Sequence, residues 1–476
     1  MLGLGINRLT QRNVTRGEAV APFSIVDLFS GGLKGVWLDA SDSSTLTASG
    51  GGSPDYSDSV ATINDKSGNN NHVTFSVAPN YGRHPTSGLR NLLNDSDNFV
   101  SSYGSNPNAR GWTPFGSNTS ISTSTTETSP ETGAGVARLY NTASANNPYV
   151  SIFPAGMNNW ARSAGIYTAS AYFKTNGVGT KPVVDILISF AGIAATYDVS
   201  AGTVSLAGAT SKHISSSVTS AGNGWHLLKL TVDCASSDDT STPTFLGVDA
   251  NGSYSSFANE TAEYFLSAPQ LELGTTRTAF QETATHYDVS QHGQSQVYYL
   301  WLQGAEYGSI SDIGFNSGFD QNATVVAGIV ATAGTPKQTI VHIGDAEGTD
   351  VGVHVHVDSS EIKNKSRGNS AVTVETSDVG GQIEFPLTTA IFASTSLSTS
   401  TTTVSLGSQG HEGTSSSSLG GSNFYGVGLQ IGASNTDSTA DTFFDGRIYQ
   451  IIVVNKILTT DETNNVSSII DDKVGV

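Results

Sequence analysis

Cysteine is almost absent from this sequence of 476 residues, with Cys234 as its single representative. One thiol cannot form an intrachain disulfide, and it cannot supply the several thiolates that a structural zinc site needs. The fold must therefore be stabilised by packing or by assembly with other chains.

Charge is scarce as well. Only 13% of the residues are charged, and 22 Lys and Arg face 41 Asp and Glu, so the formal net charge is -19. Because an acidic surface repels phosphate backbones, we expect no nucleic-acid partner. Polarity comes instead from Ser, Thr, Asn and 52 Gly, residues that favour turns, hairpins and uncharged hydrogen-bonding surfaces.

Long apolar runs are missing too. None approaches the roughly 18 residues of a membrane span, and the first residues lack the hydrophobic block of a signal peptide. We therefore expect a soluble chain that is made in a cytoplasm and does not insert into a membrane.

Helical periodicity is nearly absent, whereas short alternating segments typical of half-buried strands recur along the chain. Examples are residues 165–174 (GIYTASAYFK), 225–232 (WHLLKLTV) and 297–303 (VYYLWLQ). The exception is 458–473, which starts with Thr and acidic residues and ends with Lys, as a helix does. The sequence predicts an all-β protein with antiparallel sandwiches and one short C-terminal helix.

Two distant stretches are predicted to belong to one sandwich. Residues 35–75 contain a strand-like run around Trp37 and a turn at 65–72 (DKSGNNNH), and 443–454 (FFDGRIYQIIVV) predicts a long strand. Residues 90–283 have their own start and their own aromatic residues. We therefore predict one sandwich from residues 23–89 plus 284–476, with a second sandwich, residues 90–283, inserted in it.

The first 22 residues are too polar and too few to hold a core. Arg8, Arg12 and Arg16 recur every fourth residue and would share one face of a helix. The plain interpretation of such an arm is a solvated tail. We favour an attachment arm that docks its basic face on an acidic surface of a neighbouring subunit.

Several motifs carry a resemblance to known families. Residues 36–75 plus 323–476 resemble a concanavalin A-like lectin/glucanase domain of laminin-G type, through the turn at 65–72, GLQIG at 428–432 and FDGRI at 444–448. The inserted part resembles a carbohydrate-binding-module jelly roll, through RNLL at 90–93, SAYFK at 170–174 and APQLELG at 268–274. A jelly roll inserted in such a frame behind a short arm resembles virion appendage proteins of tailed bacteriophages.

Carbohydrate binding has a direct physical basis here, since sugars present C–H faces to aromatic rings and hydroxyls to amides and carboxylates. Trp112 and Trp160 lie in polar, Gly/Asn-rich surroundings, so we predict them as exposed sugar platforms. Burial is the usual fate of a tryptophan. We expect it for Trp225, Trp37 and Trp301.

His354 and His356 form a His-Val-His segment, and a strand would place both imidazoles on one face. Two such residues from each of three chains could surround a metal, which resembles the His-x-His iron sites of some trimeric phage fibres. The alternative is a solvated strand face. Two histidines alone are a weak metal motif, so no cofactor is predicted.

The acidic segment 345–350 (DAEGTD) invites comparison with glucanases of this fold, whose strand motif is Glu-x-Asp-x-x-Glu. Here the order is Asp-x-Glu-x-x-Asp, and Gly344 and Gly348 indicate a turn. General acid and base catalysis needs carboxylates that face each other across the sugar bond, so a solvated acidic turn is favoured over catalysis.

The resemblance implies a non-enzymatic bacteriophage structural protein, a tail fibre, spike or head fibre. It would be a homotrimer on the virion, contacting other virion proteins through residues 1–22 and a host surface glycan through its sandwiches. A capsid decoration protein without a receptor role and a glycan depolymerase are the alternatives.

Overall fold

A computed structural model describes the chain in segments. They are 23–87, 90–93, 111–115, 119–131, 135–141, 149–153, 165–175, 183–188, 192–234, 244–246, 263–285, 287–315, 321–332, 336–344, 352–359, 361–367, 373–377, 387–407, 411–416, 419, 424, 428–436 and 439–474.

Within the described segments, thirty-three strands and one α-helix follow one another. The first strands are β1 Gly35–Asp39, β2 Leu46–Ala48, β3 Val60–Ile63, β4 Val73–Val77 and β5 Asn80–Pro85. The next are β6 Gly111–Phe115, β7 Thr119–Thr123, β8 Val136–Asn141, β9 Tyr149–Phe153, β10 Gly165–Thr175, β11 Val183–Ile188, β12 Ile193–Asp198, β13 Thr203–Gly208, β14 His213–Gly222, β15 Trp225–Cys234, β16 Thr244–Leu246 and β17 Glu263–Leu273.

The remaining strands are β18 Glu282–Thr285, β19 Asp288–Ser290, β20 Gln296–Gln303, β21 Tyr307–Ile310, β22 Asn322–Ala331, β23 Gln338–Ile343, β24 Gly352–Asp358, β25 Glu361–Arg367, β26 Thr373–Ser377, β27 Leu387–Ser396, β28 Thr401–Leu406, β29 His411–Ser416, β30 Leu429–Ile431, β31 Ser434–Thr436, β32 Thr439–Asp441 and β33 Asp445–Val454. Helix α1 spans Thr460–Val474, and single 3-10 segments lie at Ile25–Gly32, Ser43–Thr45 and Thr210–Lys212. No helix among the described residues is long and apolar enough to cross a membrane.

Two large sheets enclose the main core. One is ten-stranded, in the order β18-β19-β5-β20-β33-β22-β27-β28-β29 with β1 beside β33, and the other is nine-stranded, in the order β2-β3-β4-β21-β30-β23-β24-β25-β26. The pairing is antiparallel throughout except where β19 runs parallel to β5. Alternate residues such as Val36, Ile451 and Val355 point into one continuous core between the sheets.

The first and last strands of this sandwich are direct neighbours. Strand β1 pairs with β33 over its whole length, so that Trp37 lies opposite Ile452. The start and the end of the described chain thereby contribute to one sheet and one core. The wider domain boundaries stay a prediction, but this pairing is the contact on which they depend.

Helix α1 covers the outer face of the ten-stranded sheet. Its buried residues Val466, Ile470 and Val474 pack on a second core that includes Val326 and Tyr449. The helix begins with a reciprocal cap, because Glu462 accepts a hydrogen bond from the Thr459 N–H at 3.0 Å and donates its own N–H to the Thr459 hydroxyl at 3.3 Å. The predicted C-terminal helix is confirmed.

A six-stranded sheet (β14-β15-β10-β17-β8-β7) and a four-stranded sheet (β13-β12-β11-β16) form the other sandwich. Its core contains the fully buried side chains of Leu230, Ile193 and Tyr197, together with Cys234. Trp225 is buried as predicted, at 3% exposure. The predicted fold class, all-β with two antiparallel sandwiches and a C-terminal helix, is confirmed; the predicted arm, residues 1–22, lies outside the described residues.

Amide side chains tie together the two segments that connect the sandwiches. The Gln281 side-chain oxygen accepts hydrogen bonds from the N–H groups of Arg90 at 2.7 Å and Asn91 at 3.1 Å, and the Asn91 amide donates to the Gln281 carbonyl at 2.9 Å. Arg90 also reaches the Gln291 side chain at 2.5 Å. The outgoing and returning segments are therefore joined by direct hydrogen bonds.

A recurrent Asp-x-Ser turn shapes the loops. At Asp39, Asp42, Asp65 and Asp198, one carboxylate oxygen accepts the N–H of the serine two residues later, at 2.8 to 3.2 Å. This is the local bond that makes aspartate a turn residue. At Asp65 the same carboxylate also accepts the Trp37 N–H at 2.9 Å and the Asn71 N–H at 2.9 Å, so this turn extends the free edge of β1.

Two Ser/Thr-rich strands, β27 and β28, carry buried hydroxyl side chains. Thr395 and Thr402 are fully buried, and β28 alternates between half-buried and buried positions. Asn364, from the facing sheet, donates to the Thr403 carbonyl at 2.9 Å. The Thr395 hydroxyl lies 2.6 Å from the Ser366 hydroxyl of the same facing sheet, the kind of partner that lets a small polar side chain enter a core.

Candidate functional site

Several predicted site residues fall outside the described part of the chain. These are Arg8, Arg12, Arg16 and Trp160, and the acidic segment 345–350 lies outside it too. Trp112 lies in strand β6, opposite Ile152 of β9, and nothing is described of its side chain. The attachment, platform and acidic-turn predictions for these residues stay predictions.

His354 and His356 share one face of their strand, as the alternation of side chains along a strand predicts. On β24 the valines at 353, 355 and 357 enter the main core, while His354 and His356 face the other side of the sheet. Their exposed fractions are 3% and 1%, so the alternative of a solvated strand face is wrong. The physical reason is local packing, since the centres of the two tilted rings lie 4.4 Å apart and the ring of His342 on β23 meets His354 edge-on at 5.2 Å.

Hydrogen bonding anchors this histidine group from one side. The Thr339 hydroxyl lies 2.8 Å from His354 Nε2 and 2.6 Å from the Thr442 hydroxyl, which in turn lies 2.7 Å from the Ser434 hydroxyl. Thr442 has a positive φ of 49°, a strained conformation for a β-branched residue. Burial lowers the pKa of His354 well below its usual value, and the neighbouring histidines add to the shift.

A metal shared by three chains would need these imidazoles at the protein surface, whereas both are buried within one chain. Among the described residues, no group of three or more His, Cys, Asp or Glu side chains is placed to hold a metal ion. The rings of His354 and His356 are tilted against each other, and His342 contacts His354 edge-on. We assign no cofactor to them.

A second group of side chains has a different character, and we call it the tyrosine cluster: Tyr56, Tyr81, Arg83, Asp288 and Tyr298. The three phenol rings lie nearly parallel, with centroids 5.6 Å (Tyr56 to Tyr81), 6.3 Å (Tyr56 to Tyr298) and 6.2 Å (Tyr81 to Tyr298) apart. Tyr81 is buried, whereas Tyr56 and Tyr298 are half-buried and reach the surface. The cluster therefore offers aromatic surface to solvent from a rigid base.

Sheet register brings these residues together. Tyr81 and Arg83 are two residues apart on β5 and share a face, and the antiparallel neighbour β20 places Tyr298 directly opposite Arg83. Asp288 lies opposite Arg83 on the other side, in the parallel pair of β19 with β5. Four of the five side chains thus stand on strands and not on loops.

Tyr56 comes from the loop between β2 and β3, and a strained turn fixes it. Ser57 has φ of 79°, and its N–H donates to the Tyr81 carbonyl at 2.8 Å. The Asn80 side chain donates to the Ser57 carbonyl at 2.8 Å. Positive φ at a residue other than glycine is held in place by such bonds and is concentrated at functional sites.

One ion pair sits within the aromatic group. Arg83 Nε donates to Asp288 Oδ1 at 2.5 Å, and the guanidinium carbon lies 4.2 Å from the centre of the Tyr56 ring. Burial works to lower the pKa of Arg83, but the hydrogen bond and charge of Asp288 outweigh it and the pKa is raised. Burial likewise raises the pKa values of Tyr56 and Tyr81, so both phenols remain protonated at neutral pH.

Half-buried aromatic rings beside a fixed donor and acceptor suit a ligand that has both apolar C–H groups and hydroxyls. This cluster was not predicted from the sequence. Its one local signal was the pair Tyr81 and Arg83 at strand spacing, and the three other members lie far from that pair in the sequence. Only the sheet register reveals that they meet.

Comparisons with known proteins add little to this geometry. No protein-family model matches the chain, and no curated protein matches it. Among solved structures, the chain is similar to the CBM40 module of the Ruminococcus gnavus IT-sialidase bound to alpha2,3 sialyllactose, at a TM-score of 0.27 and 14% identity, over 31% of this chain and 83% of that one.

Two other similar structures are the NanB sialidase from Streptococcus pneumoniae and the heptameric SAP-like pentraxin from Limulus polyphemus. The sialidase has a TM-score of 0.25 and 16% identity over 32% of this chain and 24% of that one. The pentraxin has a TM-score of 0.26 and 15% identity over 31% of this chain and 70% of that one.

Proposed function

We propose that this protein is a non-enzymatic glycan-binding protein whose sugar site is the tyrosine cluster. The observation that carries the proposal is the placement of the half-buried rings of Tyr56 and Tyr298 beside the Arg83–Asp288 ion pair. Rings of this kind cover the C–H face of a sugar, while the ion pair supplies a donor and an acceptor for its hydroxyls.

Rigidity supports binding at this place. A ligand site loses less affinity to ordering when its side chains are already fixed in the free protein. Tyr81 is held in the main core, and Arg83 is held by Asp288 on one side and by Tyr56 on the other. The small fraction of charged residues in the chain, 13%, also suits recognition of uncharged, hydroxyl-rich molecules.

We further propose that the protein is a bacteriophage structural protein, a tail fibre, spike or head fibre. Residues 1–22 would attach it to other virion proteins, and as a homotrimer it would display its sandwiches to host-surface glycans. This part rests on the sequence resemblance. Deleting residues 1–22 is expected to abolish incorporation into particles while leaving glycan binding intact, and unchanged incorporation would contradict the attachment role.

The test of glycan binding is an array of bacterial and plant-type oligosaccharides probed with the full chain and two variants. Tyr56→Ala removes a ring of the cluster and is expected to weaken binding about tenfold or more, the effect typical of an aromatic binding hot spot. Tyr307→Ala is the matched control. Tyr307 is also a half-buried tyrosine packed on an aromatic ring, Phe443 at 5.9 Å, but lies outside the cluster.

Thermal melts of all variants separate a binding defect from a folding defect. Tyr56→Phe is a further check, because it keeps the ring and removes only the hydroxyl. Loss of binding by the control to the same degree as by Tyr56→Ala would refute the site. Shortening of the bound oligosaccharide during incubation would favour the depolymerase alternative over a pure binding protein.

A further inference from the structure

The hydrogen-bonding capacity that remains in the tyrosine cluster indicates the class of sugar it takes. Arg83 uses Nε to bind Asp288 Oδ1. Among the described residues, no further side-chain hydrogen bond engages either NH₂ group of Arg83 or the second oxygen, Oδ2, of Asp288. A donor and an acceptor therefore stand side by side next to the half-buried rings.

Such a pair matches two neighbouring hydroxyls of a sugar ring. One hydroxyl accepts from the guanidinium and the other donates to the carboxylate, while the C–H face of the same ring lies on an aromatic side chain. Bonds to charged partners are also stronger than neutral ones. The arrangement favours a pyranose with a vicinal diol over a ligand whose hydroxyls are blocked.

The charge of the site opposes an acidic ligand. Arg83 is the single cationic side chain of the cluster, and its charge is already balanced by Asp288 at 2.5 Å. Asp55 and Asp58 flank Tyr56 on an exposed loop, where the Asp58 carboxylate accepts the Asp55 N–H at 2.9 Å. A carboxylate on the ligand would lie next to the negative charge of Asp288 and would meet the two further negative charges of Asp55 and Asp58.

From these observations we infer that the tyrosine cluster binds uncharged sugars through a vicinal diol and discriminates against sialylated or uronic-acid glycans. This inference rests on the proposed glycan-binding function and specifies its ligand. Repulsion by the carboxylates of Asp55 and Asp58 is expected to weaken the binding of an acidic glycan by roughly five- to tenfold at low salt, where charges within a Debye length are little screened.

Matched pairs of glycans provide the test. Neutral oligosaccharides, lactose among them, and their sialylated or uronic counterparts are titrated against the full chain at 20 mM and 500 mM salt, conditions on either side of the usual screening range. We expect the neutral member to bind more tightly at low salt. At high salt the difference in affinity between the neutral and the acidic glycan should fall to about twofold or less, because screening removes the repulsion.

Two isosteric variants separate charge from packing. The double variant Asp55→Asn, Asp58→Asn should reduce the difference in affinity between neutral and acidic glycans at low salt. It should leave the affinity for the neutral glycan unchanged. Asp288→Asn keeps the shape and removes the charged acceptor, and it should weaken the neutral glycan about tenfold or more.

The outcomes distinguish failure of the inference from failure of the proposed function. Equal or tighter binding of the acidic member, still lost in Tyr56→Ala, would overturn the ligand class and leave the site in place. Binding that is insensitive to Tyr56→Ala, or no binding to either member of any pair, would overturn the proposed function and the inference with it.

Discussion

We expect Asp65→Ala to weaken the hydrogen bonding between strand β1 and the turn at residues 65–72. The Asp65 carboxylate accepts four hydrogen bonds: the N–H of Trp37 at 2.9 Å, the N–H and hydroxyl of Ser67 at 2.8 and 2.7 Å, and the N–H of Asn71 at 2.9 Å. Alanine leaves three backbone donors without this partner.

The expected cost follows from those bonds. Hydrogen bonds to a charged acceptor contribute about 1.5–3 kcal/mol each, and an unsatisfied buried donor costs about 1–3 kcal/mol. The turn is half-buried, so water replaces part of the loss, and the contributions are not additive. We expect the free energy of unfolding to fall by about 3–5 kcal/mol, which places Asp65→Ala among the most damaging single substitutions.

Urea unfolding followed by tryptophan fluorescence measures this change, since Lys66 holds its ammonium 4.7 Å from the Trp37 ring in the same turn. Asp198→Ala is the matched control. Asp198 makes the same Asp-x-Ser bond, with Ser200 N–H at 3.0 Å, in an exposed turn. We expect the control to cost less than about 1 kcal/mol. Equal losses in the two variants would refute the bridging role of Asp65.

Three further predictions concern packing, pH and the C-terminal helix. Gly82→Ala places a Cβ 2.5 Å from Cζ of the fully buried Tyr299 ring, so urea unfolding should show a loss of about 1–3 kcal/mol, and an unchanged midpoint would contradict the packing. Burial lowers the pKa of His84 to about 3. An unfolded histidine titrates near pH 6.5. Burial of neutral His84 therefore leaves the free energy of unfolding unaffected by pH above about 6.5 and lowers it by roughly 1.4 kcal/mol per pH unit between about pH 6.5 and pH 3. A series of melts should therefore show a shallower acid slope in His84→Gln than in the natural chain, whereas identical slopes would contradict neutral burial. Asp39→Asn weakens the ion pair of residue 39 with Lys473, whose charged atoms lie 3.4 Å apart. Amide exchange in the last turn of α1 should therefore accelerate, and unchanged exchange would show that the ion pair does not stabilise this turn.

The strands and the helix were predictable because their signals are local. Period-two alternation places the valines of β24 in the core and its histidines on the other face, and it does so whatever the partner strands are. The helix at residues 458–473 has its own cap, acidic first turn and terminal lysine, and the structure places α1 at Thr460–Val474. Such features are specified within a few residues of sequence.

Features that depend on register were not predictable in the same way. His354 and His356 were expected either at a shared metal or in solvent, yet both are buried, and His342 from the neighbouring strand packs against His354. The tyrosine cluster depends on which residue of β20 lies opposite Arg83, and a shift of one position would turn Tyr298 to the other face. A single sequence does not state that alignment.

The most direct test of the central claim is a crystal structure of the protein soaked with the best-bound neutral oligosaccharide from the array. We predict a pyranose ring against Tyr56 or Tyr298, with two adjacent hydroxyls bonded to Arg83 and Asp288. A sugar bound elsewhere, with the tyrosine cluster unchanged and empty, would contradict the assignment of this site.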